Sequence, residues 1–145
     1  MNLPSAEARW REALESGLTD FLSSYPASSS DGLYAPIHYL LSLGGKRIRP
    51  VLALAACEAE GGRVEDAIPA AMAVELFHNF TLMHDDIMDQ DPVRRGLRAV
   101  HVEFDDSTAI NAGDAMLALS FEMMADSTYI DDEQLRPLVK SIGEM

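Results

Sequence analysis

Residues 67–89 read "AIPAAMAVELFHNFTLMHDDIMD". The stretch is apolar for most of its length, far longer than a strand of roughly four to eight residues, and closes on aspartates. It predicts one long helix from about Ala67 to about Asp89. Its neighbours follow the same period. Ser5–Ser24 sets Trp10, Leu14, Leu18, Phe21 and Leu22 at helical spacing, and "YPASSSDG" from Tyr25 supplies a loop of turn residues. Leu33–Leu43 is a short apolar helix stopped by Gly44-Gly45. Pro50 suits the first turn of the next helix, whose body "VLALAACEAE" stops at Gly61-Gly62. "STAINAGDAMLALSFEMMA" from Ser107 supplies another helix, and one more begins at Asp131. No period-two pattern competes anywhere. The fold class is all-α, with long helices and short loops.

The 145 residues are 48% hydrophobic, enough for one domain with a core and too apolar for a disordered chain. A formal net charge of −13 argues against a non-specific nucleic-acid binder. Lys46 and Lys140 are the only lysines among 11 basic residues. Abundant acid with little lysine suits a protein kept soluble at high salt; an ordinary acidic cytosolic protein fits equally. The lone cysteine, Cys57, excludes an internal disulfide framework and a cysteine metal cluster. "MNLPSAEARWREALESGL" carries charge throughout, unlike a signal peptide or an anchor. No run approaches the eighteen or so apolar residues of a membrane span, so the expected location is cytoplasmic.

Two charged constellations stand out. In "GGKRIRP", Lys46, Arg47 and Arg49 lie between glycines and a proline, just before a helix begins. A helix N-terminus with unpaired N–H groups and basic neighbours is a natural phosphate site, although the P-loop spacing is absent. The second constellation crowds four aspartates into the seven residues Asp85–Asp91, then adds Arg94 and Arg95. Residues four apart on a helix lie within ~40° of each other, so Asp85 and Asp89 share a face with Asp86 to one side. Two such carboxylates repel unless a cation lies between them, and Mg2+ accepts one or two carboxylates alongside phosphate oxygens. His78 falls within ~20° of Asp85, with Thr81 between them. One stripe therefore carries histidine, threonine and aspartates and ends at two guanidiniums, a receptor suited to a diphosphate.

From about Leu40 to about Met124 these pieces resemble the trans-isoprenyl diphosphate synthases, or polyprenyl synthetases. The resemblance rests on "GGKRIRP", "VELFHNFTLMHDDIMD", "RRG" at Arg94–Gly96, His101 and "NAGD" at Asn111–Asp114. It implies the N-terminal part of an isoprenoid-synthase helical bundle and a magnesium-dependent prenyltransferase. The implied reaction condenses isopentenyl diphosphate head-to-tail with an allylic prenyl diphosphate. By the same resemblance Asp85, Asp86 and Asp89 hold the Mg2+ that binds the allylic diphosphate, and Arg94 contacts that diphosphate. Lys46, Arg49, His78 and Arg95 bind isopentenyl diphosphate, and the full-length protein is a homodimer. A bulky aromatic five residues before the first aspartate stops chain growth early, which puts Phe80 at the limit of a C15–C20 product. Helical geometry alone favours Thr81 and Phe77, one and two turns below Asp85, because Phe80 is rotated away by ~140°.

The chain departs from the family at Leu97, Arg98 and Ala99, where a basic residue, proline and threonine are usual. The second aspartate-rich motif of the family is absent before Met145, so residues 1–145 are read as the N-terminal half of a longer prenyltransferase. Two other readings stand beside this one. One is a catalytically silent diphosphate-binding subunit. The other is a His-Asp metal phosphohydrolase using "HDD" at His84–Asp86, although His84 lies off the stripe that holds His78. His84 and His38 are read as packing or structural histidines. Met116, Met123 and Met124 are read as core fillers, and Asn111 and Asp114 as supports for the neighbouring helix.

Overall fold

A computed structural model describes residues 3–29, 32–125 and 132–143. In chain order it comprises α1 (Leu3–Ser24), α2 (Tyr34–Ser42), α3 (Ile48–Ala59) and α4 (Val64–Met88). A hairpin of β1 (Val93–Arg94) and β2 (Leu97–Arg98) follows, then α5 (Val100–Glu103), α6 (Asp106–Ala125) and α7 (Asp132–Gly143). Every expected helix is present, so the all-α reading holds. The loop residues Ser30 and Asp31, and the helix start expected at Asp131, lie outside the described residues.

Two short elements were not expected. Two-residue strands are too short to show any alternation, and four residues of helix are too short to show a stripe. The hairpin has a local cause instead. Arg95 and Gly96 both take positive φ, 54° and 81°, which is what a two-residue type I′ connection demands. The strands pair Val93 with Arg98 and Arg94 with Leu97.

Helix α4 shows no single apolar stripe because it is covered on both flanks. On one side Leu76 and Met83 pack with Ile37, Leu40 and Leu41 of α2 and with Ala109, Ala112, Met116 and Leu119 of α6. On the other, Val64, Ala71 and Met72 meet Leu14 and Leu18 of α1 and Leu54 of α3. Met116 and Met124 are fully buried, as expected of gap-filling residues. His38 has a structural role, with Nε2 2.7 Å from the Tyr25 carbonyl.

The end of α4 is fixed by its backbone. Gln90 adopts a left-handed φ of 54°, the Asp91 N–H donates to the Asp86 carbonyl at 2.9 Å, and Gln90 N–H donates to Ile87 at 3.3 Å. This is the two-bond Schellman closure, and Pro92 follows where the helix cannot continue. Among the described residues no helix is long and apolar enough to cross a membrane.

Leu76 sits in the covered middle of α4 with 0% exposure. Leu76→Ala is expected to lower unfolding stability by roughly 2–5 kcal/mol, measured as a drop in urea midpoint at unchanged slope. A change under about 1 kcal/mol would mean that α4 is not the core element it looks to be.

Candidate functional site

Three local features build a basic cleft. Gly44 and Gly45 release the chain from α2 with φ of 72° and 145°, and Arg47 then caps α3 in a left-handed conformation at φ 47°. One turn of α4 presents Glu75, His78 and Asn79 to the same place. The turn of the hairpin delivers Arg95 from the other side. Lys46, Arg49, His78 and Arg95 line one cleft of 140 Å³, with Arg47, Ile48 and Glu75 completing its wall. The four residues assigned to one diphosphate from sequence are thus brought together by three separate segments.

Arg47 is placed differently from the reading that grouped it with Lys46 and Arg49 as a phosphate ligand. It is 5% exposed and is held by three acceptors. Nε donates to Glu15 at 3.0 Å, Nη1 to Glu75 at 2.7 Å and Nη2 to the Leu41 carbonyl at 3.0 Å. Burial would lower its pKa, but the bonds to Glu15 and Glu75 more than offset this and hold it above the ordinary value. Glu75 and Asn79 were missed from sequence. A glutamate inside "AVELF", on a helix with no solvent face, carried the signal, because a buried carboxylate needs a cationic partner.

His78 Nε2 lies 3.1 Å from Arg49 Nη1. Since guanidinium N–H groups only donate, Nε2 accepts, which assigns a neutral ring with its proton on Nδ1. Burial first, then repulsion from Arg49, lowers the His78 pKa. The Arg95 guanidinium is also held below its ordinary pKa, by burial first and then by repulsion from Arg47. An anion entering the cleft relieves that repulsion.

The acidic end of α4 divides its labour. Asp85 and Asp89 are exposed on the last turn, whereas Asp86 is 1% exposed. Both Asp86 oxygens receive the fork of Arg94: Nε donates to Oδ2 at 3.0 Å and Nη2 donates to Oδ1. That bond to Asp86 chiefly holds the Arg94 pKa above its usual value. Two sequence expectations shift here. Asp86 is not presented as a free ligand beside Asp85 and Asp89, and Arg94, expected to contact the allylic diphosphate, has its guanidinium engaged by Asp86. The cause is local: the type I′ turn sets Arg94 back over α4, where an unpaired buried carboxylate would be costly.

His84, on α4, packs against α6. Its Nε2 is 3.3 Å from the Ile110 carbonyl and 3.8 Å from Asp114 Oδ1. It fills a notch left by Gly113, where an added Cβ would stand 2.4 Å from Nε2. The Thr81 hydroxyl donates back to the His78 carbonyl at 2.8 Å. Phe80 stacks edge-on between Phe77 and His84, at centroid distances of 5.2 and 5.3 Å. A separate apolar groove of 420 Å³ between α1, α4 and α6 is lined by Phe21, Met72, Leu119 and Met123 among others, and by none of Phe77, Phe80 or Thr81.

Residues 30–144 match the model of the polyprenyl synthetase family. The chain belongs to that family. It is 45% identical over 113 residues to a geranylgeranyl diphosphate synthase of Methanosarcina mazei, a match covering 78% of this chain and 34% of the relative. A geranylgeranyl diphosphate synthase of Cyanophora paradoxa is 48% identical over 107 residues, covering 72% and 36% of the two chains. Among solved structures, geranylgeranyl pyrophosphate synthetase from Pyrococcus horikoshii superposes with a TM-score of 0.85 at 36% identity, over 99% of this chain and 44% of that one. The fold is therefore that of the isoprenoid-synthase helical bundle, and the chain spans about a third of the curated relatives' length.

The His78 environment has a measurable signature. Its NMR titration midpoint is expected below the ordinary 6.5. Arg49→Ala should raise the midpoint only part-way, because burial remains. With the folded pKa lowered, the unfolded chain takes up the proton first. This group's contribution to stability is therefore complete above about pH 6.5 and lost as pH falls through the folded value. A midpoint above 6.5 would contradict the neutral, Arg49-bonded ring.

Proposed function

We propose that the protein works as a short-chain prenyl diphosphate synthase of geranylgeranyl type. It would join isopentenyl diphosphate head-to-tail to an allylic prenyl diphosphate. One observation carries the reading. A single rigid helix, α4, bears the wall of a basic cleft at His78 and a pair of exposed carboxylates at Asp85 and Asp89, seven and eleven residues further on. That separation, roughly 10–16 Å along the axis, keeps two diphosphates apart while holding both substrates to one frame.

In the reaction the allylic C–O bond breaks and its electron pair leaves with the diphosphate. The isopentenyl double bond then attacks the resulting allylic cation, and a proton is lost from the adduct. Lys46, Arg49 and Arg95 hold the isopentenyl diphosphate by charge-assisted bonds, with His78 supporting Arg49. Asp85 and Asp89 are hard oxygen donors on one exposed turn, a set that fits Mg2+ completed by water and phosphate oxygens. Bound there, Mg2+ supplies positive charge to the leaving diphosphate. Asp86 and Arg94 neutralise each other and fasten the hairpin to α4. The placement of His84 against α6 disfavours a His-Asp phosphohydrolase.

Asp85→Ala or Asp89→Ala, in a full-length protein carrying this chain, is expected to lower turnover by several powers of ten with the fold intact. Near-normal turnover at saturating magnesium would sink the assignment. Lys46→Ala or Arg49→Ala should chiefly raise KM for isopentenyl diphosphate. The expected loss is roughly 1.5–3 kcal/mol, about one to two powers of ten in affinity. A loss confined to the allylic substrate would show the two sites to be reversed. Products of Phe80→Ala, sized by chromatography, should lengthen if the stacked aromatics limit growth; an unchanged distribution places the limit elsewhere.

A further inference from the structure

The basic cleft contains a residue of the wrong sign. Lys46, Arg47, Arg49 and Arg95 converge on 140 Å³, and Glu75 lies in the wall among them, 2% exposed. One of its oxygens, Oε1, receives Arg47 Nη1 at 2.7 Å and Asn79 Nδ2 at 2.8 Å. The opposite end of the same amide, Asn79 Oδ1, faces Arg95 Nη2 at 3.4 Å. A single carboxylate oxygen thus anchors Arg47 directly and faces Arg95 through Asn79.

Arg47 also sits at a backbone hinge. It is the left-handed cap of α3, with φ 47° and ψ 35°, and its carbonyl receives the Val51 N–H at 3.1 Å. Lys46 immediately precedes it and Arg49 follows in the first turn. Among the described residues this guanidinium is held by Glu15 from α1, the Leu41 carbonyl from the end of α2, and Glu75 from α4. Glu15 is solvent-exposed, so Glu75 is the buried anchor. With it removed, Arg47 keeps the exposed Glu15 and the Leu41 carbonyl but has no buried counter-charge, and Asn79 loses its side-chain acceptor and is left with the Glu75 backbone carbonyl, 2.8 Å from Nδ2.

We infer that Glu75 is a positioning residue for diphosphate: through Arg47 and Asn79 it sets the directions of Lys46, Arg49 and Arg95 before any anion arrives. This rests on reading the cleft as a diphosphate site. It makes a counter-intuitive claim, because Glu75 repels the anion and yet is required for tight binding. Simple electrostatics gives the opposite sign, since removing a negative charge from the wall should tighten binding.

The experiment is calorimetric titration of inorganic pyrophosphate, without metal, into the wild-type chain, Glu75→Leu and Glu75→Gln, with far-UV circular dichroism on each. We expect Glu75→Leu to bind at least tenfold more weakly. Glu75→Gln, which keeps an acceptor oxygen for Arg47 and Asn79, should recover part of that loss while remaining weaker than wild type. If Glu75→Leu does not fold, Glu75→Gln decides alone by the same sign. Equal or tighter binding by either folded variant overturns the role of Glu75 and leaves the cleft assignment standing. Failure of the wild-type chain to bind pyrophosphate removes the cleft assignment and this inference together.

Discussion

Burial of α4 on both flanks constrains everything else in the molecule. A helix that is covered by α1 and α3 on one side and by α2 and α6 on the other has no solvent face along its middle. Any charge placed there must bring its own partner or face a desolvation cost of several kcal/mol. Glu75 meets this with Arg47, and Asp86 meets it with Arg94. Both partners come from segments with left-handed residues, Arg47 itself and Arg95 beside Arg94. The irregular backbone is therefore tied to the regular one: at Arg47 and at the hairpin turn, a left-handed segment supplies a guanidinium that the central helix needs.

These internal pairs also explain how the functional charges stay free. Lys46, Arg49, Asp85 and Asp89 are all exposed, and each lies within a residue or two, or on the same helical turn, of a charge that is fully committed. A buried pair locks the backbone, and its exposed neighbour inherits a defined position. This division recurs at both ends of the site.

Much of this arrangement was legible in the sequence. The period of the apolar residues fixed the helices, because burial on a helix surface leaves a pattern that a short strand or a single turn does not. The acidic turn and the basic run from Lys46 to Arg49 stood out by charge and spacing, whereas joining His78 and Arg95 to that run came from the family resemblance. What could not be read was which member of each group turns inward. Arg47 and Arg49 differ by two residues, and Asp85 and Asp86 by one. Local spacing shows that they diverge; only the packing of α1, α6 and the hairpin decides which one is covered. Arg94 and Arg95 are the same case, since a type I′ turn sends adjacent guanidiniums to opposite destinations and leaves little trace in composition.

The notch at Gly113 bears on the history such a sequence can have. Because a methyl group there would collide with the His84 ring, positions 84 and 113 are one steric unit shared between two helices. A side chain at 113 fits only if the His84 ring swings aside or the residue at 84 is smaller. Descendants of this chain should therefore inherit the two positions as a linked allele.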